Sequence, residues 1–220
     1  LQYTYKLNKK NTINIGAVYT LGRTLHGDAY KYHQTGAESN GSIYVQSQTG
    51  DTIPNPFKMP HTFGIGLTYV YDNRLTIGVD YTLQKWNTAD LAWSKFNKES
   101  VEMNSRTKIA FGAEFVPSYI SHNYLKRIRY RMGAYYSSPY NKVSYTSPDT
   151  GTTSFQDGAR EYGVSIGFGL PMFQSKSMLN ISGQYIKVSP KFKGLMEENY
   201  LRINIGLTFN ERWFMKWKVD

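Results

Sequence analysis

The sequence predicts an all-β chain, a transmembrane antiparallel up-and-down β-barrel. Three observations predict it. Apolar and polar residues alternate with period 2 in one segment after another. No run approaches the roughly 18 consecutive apolar residues that a membrane helix needs. The connections between segments are alternately short and long, as in outer-membrane barrels with their short periplasmic turns and long external loops.

The segments follow in order. A short strand carries Tyr3, Tyr5 and Leu7. In the next, Ile13, Ile15, Ala17, Tyr19 and Leu21 alternate with Thr12, Asn14, Gly16, Val18 and Thr20. Residues 43–72 read as one strand kinked around Pro54, Pro56 and Pro60, because proline cannot donate to a ladder and belongs at bends. Its end places Phe63, Ile65, Leu67, Tyr69 and Tyr71 on one face. After a tight turn at Asp72-Asn73-Arg74, Leu75, Ile77, Val79, Tyr81 and Leu83 continue that face. Four further strands carry Ile109 to Phe115, Ile128 to Tyr136, Tyr162 to Leu170 and Leu179 to Tyr185. A last one runs from Leu201 to Phe209. This makes about nine strands. Short connections fall near 8–11, 72–74, 117–123 and 171–176, and longer ones near 34–42, 88–104, 140–157 and 189–197. Threading the strands up and down puts the short turns and the C-terminus on one side, the periplasmic one, with the long loops extracellular.

The composition agrees. Apolar residues make up 40% of the 220 and the mean hydropathy is −0.52. That is polar for a helical membrane protein but suits strands in which only every second residue meets lipid. Nineteen tyrosines, with 11 Phe and 4 Trp, suit both pleated strands and a membrane–water boundary. Tyr19, Tyr69, Tyr71, Tyr81, Trp86, Tyr130, Tyr136 and Tyr185 fall where aromatic girdles belong, and Trp86 and Trp93 are secondary candidates for sugar contacts. There is no cysteine, hence no disulfide framework and no thiolate metal site. The chain opens on Leu1 without a signal sequence, so its N-terminus is expected to have been removed. An odd strand count would leave bare edges in lipid, so N-terminal strands are expected to be missing from the sequence.

The net charge is +10, which raises nucleic-acid binding as a first reading. Stacking on bases would need basic and aromatic residues on one face, and here they lie on opposite faces of the same strands. A barrel puts the charge in its lumen or opposite the anionic headgroups of outer-membrane lipid and lipopolysaccharide. Arg127, Arg129 and Arg131 form one inward row, shared by Arg106, Lys108 and Arg202, with Asp80, Glu114 and Glu161 as counter-charges. Two readings follow: an internal salt-bridge network, or a receiver for an anionic head such as a carboxylate. Gly64, Gly66, Gly78, Gly112, Gly163, Gly167, Gly169 and Gly206 share the inward face and make room there.

Catalytic chemistry is not indicated. His26, His33, His61 and His122 are scattered without metal-ligand spacing, no Ser–His pair is selected by spacing, and no Gly-rich phosphate loop occurs. The expectation is a non-enzyme without metal or cofactor.

Several segments resemble the FadL/TodX family of outer-membrane transporters for long-chain fatty acids and other hydrophobic compounds. They are Pro60-His61-Thr62-Phe63-Gly64-Ile65-Gly66-Leu67 and Tyr81-Thr82-Leu83-Gln84-Lys85-Trp86, then Arg106 with Ile109-Ala110-Phe111-Gly112. Arg131-Met132-Gly133-Ala134-Tyr135-Tyr136-Ser137-Ser138-Pro139 and Ser182-Gly183-Gln184-Tyr185 follow. The resemblance implies the C-terminal part of a barrel of about 14 strands. It also implies an N-terminal hatch, a lateral opening and a hydrophobic small-molecule ligand. Residues 1–210 would be barrel and 211–220 a basic, aromatic periplasmic tail. In that tail Arg212, Trp213, Phe214, Lys216 and Trp217 are candidates for partner binding, and it looks like tails on Bacteroides-like members of the family. Some such relatives look like subunits of outer-membrane machines. The two functional expectations are therefore a transporter and, alternatively, a non-transporting subunit of a protein assembly or secretion complex.

Overall fold

A computed structural model describes residues 1–39, 42–55, 57–88, 102–146, 152–172, 177–190 and 196–209. In chain order its strands are β1 (Gln2–Lys6), β2 (Asn11–Thr20), β3 (Thr24–Leu25), β4 (Asp28–Ser39), β5 (Ser42–Pro54), β6 (Phe57–Lys58), β7 (Thr62–Tyr71) and β8 (Leu75–Gln84). Then come β9 (Arg106–Phe115), β10 (Arg129–Ser137), β11 (Lys142–Thr146), β12 (Thr153–Asp157), β13 (Ala159–Pro171), β14 (Met178–Pro190) and β15 (Glu198–Thr208). Among the described residues, no helix is long and apolar enough to cross a membrane.

Nine of these strands form one antiparallel sheet in the order β1-β2-β7-β8-β9-β10-β13-β14-β15. Each strand pairs with its predecessor in the meander, the arrangement that short turns between antiparallel strands dictate. Among the described residues the sheet is open: β1 and β15 each have one neighbour, and no ladder joins them. The count of nine matches the sequence reading, but a closed barrel is not formed by the described strands, and 220 residues are too few for about 14 strands.

The alternation survives in the pairing register. One row crosses the sheet as Tyr3, Ile15, Leu67, Val79, Phe111, Ala134, Val164, Tyr185 and Leu201. The neighbouring row is Thr4, Asn14, Thr68, Gly78, Gly112, Gly133, Ser165, Gln184 and Arg202. The first row is apolar on every strand and the second is polar or glycine on every strand. A slip of one residue anywhere would exchange the two faces, so this consistency fixes the register.

The short connections are built from polar residues that close on their own backbone. Asn8 Oδ1 accepts from the amides of Lys10 and Asn11 at 2.9 and 2.8 Å. Asp72 and Asn73 take φ of 50° and 53°, the left-handed region that these two residue types tolerate best after glycine. The Arg74 amide donates to the Tyr71 carbonyl at 2.8 Å. The third connection holds a 3-10 turn at Tyr124–Arg127, capped by Asn123 Oδ1, which accepts from the Leu125 amide at 3.0 Å. Val116, fully buried, and the hydroxyl of Tyr119, which donates to the Asn73 carbonyl, tie this turn to its neighbour.

The long connections differ from expectation. Residues 43–72 are not one strand. β5 leaves the sheet to pair with β4, β6 pairs with β3, and only β7 belongs to the sheet. Pro54 ends β5 and Asn55 follows at φ 49°, so the proline marks a departure from the sheet rather than a kink within it. The connection expected at 34–42 is largely the end of this β4–β5 hairpin, and most of 140–157 is a second hairpin, β11–β12. Pro56, Trp93 and the tail 211–220 lie outside the described residues.

Candidate functional site

The two faces of the sheet are the functional surface, and their chemistry is opposite. On the apolar face large side chains stand in the open: Ile65 is 61% exposed, Ile166 63% and Leu201 76%. Monomeric soluble proteins rarely leave an apolar patch of more than a few hundred Å² in contact with water. This face crosses nine strands. Aromatic residues bound it. Toward the short turns lie Tyr71, Phe115, Tyr130 and Phe168, with Tyr130 and Phe168 in edge-on contact. Toward the long connections lie Tyr81, Tyr136 and Tyr162, with Tyr19 and Phe63 beyond them. The two bands stand six residues apart on β8, roughly 20 Å at about 3.3 Å per residue. That approaches the height of the apolar belt of an outer-membrane barrel, about 25 Å. Tyrosine hydroxyls at the margins find polar partners: Tyr69 on Asn11 Oδ1 at 2.5 Å and Tyr185 on Asn199 Oδ1 at 2.8 Å. Tyr19 meets His61 Nδ1 at 2.9 Å.

The polar face carries Arg106, Lys108, Arg129, Arg131 and Arg202, as alternation requires. Two carboxylates organise most of them. Glu114 takes Arg131 Nε at 2.6 Å and Arg129 at 3.1 Å, and Arg131 also donates to Asn180 Oδ1 at 2.8 Å. Glu161 accepts from the Tyr135 hydroxyl at 2.5 Å and faces Arg106 at 3.7 Å, while Arg106 Nε donates to the Ser137 hydroxyl at 2.7 Å. Lys108 lies over the Tyr135 ring at 4.7 Å. The geometry is that of an ion-pair network spread over β9, β10, β13 and β14 on one face of the sheet. Arg127 does not belong to it. That residue sits in the 3-10 turn before β10, because the capping Asn123 coils the chain there, so its place in the inward row was misassigned. The signal, an Asn three residues before a Lys-Arg pair, was present in the sequence.

Glycines on this face serve large neighbours. The Asp80 carboxylate lies against the site where a Cβ of Gly66 would stand, and the Tyr135 ring occupies that of Gly163. A trough of about 310 Å³, part polar and part apolar, remains over β10, β13, β14 and β15, its polar lining being Arg131, Ser165, Asn180, Ser182, Gln184 and Asn204. Trp86 packs on Tyr140 at the long-connection rim, 5.7 Å between ring centroids. Among the described residues, no three His, Asp or Glu side chains converge as metal ligands would.

No match was found among curated proteins or solved structures. A family model described as BamG matches residues 1–220. This overturns the resemblance to the FadL/TodX transporters. The segments that carried it are alternating strands with inward glycines and rim aromatics, features that membrane β-walls share for physical reasons. The match favours the second functional expectation, with outer-membrane protein partners, over transport. The chain belongs to the BamG family, outer-membrane proteins related to the Bam complex and subunits of an outer-membrane assembly machine.

Proposed function

We propose that the chain is a non-catalytic wall subunit whose nine-strand sheet spans the outer membrane within that machine. The observation that carries this is the apolar row that crosses all nine strands with its residues exposed, backed by a polar row just as continuous. In a bilayer the apolar face meets phospholipid and lipopolysaccharide tails, and the polar face lines the interior. The short turns and the C-terminal end of β15 face the periplasm, and the β4–β5 and β11–β12 hairpins stand outside the cell. The sheet edges at β1 and β15 need pairing in lipid, where each unsatisfied backbone group costs several kcal/mol. Further strands pair with these edges to complete a barrel.

Ion pairing favours an interior that is braced over one that binds ligand. Glu114 and Glu161 already engage three of the arginines once proposed as receivers of an anionic head. The test is extraction from native outer membranes in mild detergent, with mass spectrometry of what accompanies the chain. Stoichiometric outer-membrane proteins are expected, with depletion of the chain lowering the yield of other outer-membrane barrels. A monodisperse chain without partners would refute the subunit reading.

A further inference from the structure

On the apolar face, close to the short turns, lies a hollow of about 380 Å³. Its walls are Leu75, Phe115, Tyr130, Met132, Ile166 and Phe168. Ala113 forms its floor, a small residue in a row where its neighbours are Ile77 on β8 and Met132 on β10. Arg131 also borders the hollow, but its guanidinium is engaged by Glu114 and Asn180. The Tyr130 hydroxyl donates to the Leu125 carbonyl at 3.0 Å. The hollow therefore offers a peptide backbone nothing to bond with, but it suits a hydrocarbon chain.

That hydrogen bond joins the hollow to the 3-10 turn, and the next two residues are Lys126 and Arg127. Neither makes a salt bridge among the described residues. Leu125 in that turn and Ile120 earlier in the same connection are exposed, at 63% and 92%. Apolar side chains beside unpaired cations mark a headgroup boundary. We propose that the hollow and this turn form one phospholipid site, with an acyl chain in the hollow and the phosphate on Lys126 and Arg127. The site rests on the membrane reading above and adds a specific lipid to it.

The test uses the full chain with its partners in nanodiscs containing phosphatidylglycerol that bears a photoreactive diazirine in its acyl chain. Peptide mapping then reads labelling at the hollow (Met132, Ile166, Phe168) against labelling elsewhere on the wall (Val79, Leu201). Labelling concentrated at the hollow is expected. The Ala113→Leu variant fills the floor and should abolish that preference. Lys126→Gln and Arg127→Gln lie outside the sheet, and each should lower hollow labelling about fivefold at limiting lipid. Uniform labelling of the wall that no variant changes would overturn the site and leave the membrane reading standing. Cross-linking of the hollow to a partner protein instead of lipid would also overturn it. Absence of label at Val79 and Leu201 as well would sink both readings.

Discussion

The two faces of the sheet share every strand and every backbone hydrogen bond, yet they are stabilised in different ways. The polar face is held from within: Glu114 and Glu161 collect three arginines and a tyrosine hydroxyl across neighbouring strands. The apolar face has almost no internal partner, and Ile65, Met132, Ile166 and Leu201 project from it with most of their surface open. Only the surroundings can satisfy such a face. The difference teaches that the apolar face depends on what surrounds it, lipid under the function proposed above, whereas the polar face does not. A variant should therefore be judged first by the face it alters.

The largest expected effect comes from putting charge on the apolar face. Ile166→Arg should cost about 2–4 kcal/mol in a bilayer, read by urea titration of the folded form in vesicles. Ser165→Arg, one residue away and facing the trough beside Arg131, should cost less than about 1 kcal/mol in the same assay. Equal costs would erase the distinction between the faces. Next is Glu114→Ala, which strands Arg129 and Arg131 side by side. Charge-assisted hydrogen bonds are worth about 1.5–3 kcal/mol each, and partial exposure here reduces the pair to about 2 kcal/mol in all. High salt should shrink that loss, because screening weakens both pairs in the parent protein.

Smaller effects sharpen the reading of the polar face. Gly163→Ala sets a methyl group into the Tyr135 ring, and about 1–3 kcal/mol should be lost as the ring and its bond to Glu161 shift. Gly112→Ala on the same face meets nothing within 4 Å and should leave the urea midpoint unchanged or slightly raised. In the turn, Asn73→Ala, at φ 53°, should cost about 1 kcal/mol, and Asn73→Gly should restore it.

The main sheet was legible in the sequence because one strict rule, apolar–polar alternation, runs through each strand. Val79 and Phe111 must face out if Gly78 and Gly112 face in, and the register confirms this strand by strand. The β4–β5 hairpin escaped because it obeys no such rule. Asp28–Ser39 has no face that must be apolar, so a strand there looks like a loop. The β11–β12 hairpin is hidden for the same reason. At the site, alternation put Arg106, Lys108, Arg129, Arg131 and Arg202 on one face of the sheet, as the register has them, but it could not tell which carboxylate each would meet. It failed at Arg127, where a capping Asn123 replaces strand with a 3-10 turn and the period no longer applies. The family was not legible, because the inward glycines and rim aromatics that suggested transporters reflect the membrane rather than the task.

The central claim is that the odd and even positions of each strand live in different solvents. The chain contains no cysteine, so single cysteines can be introduced without background. The measurement is a scan along β13 from Glu161 to Gly169 in native outer membranes, with a water-soluble maleimide as the probe. Reaction at 163, 165 and 167, with protection at 164, 166 and 168, is the expected result. Equal reactivity at consecutive positions, or reaction confined to the apolar face, would contradict a membrane-spanning wall.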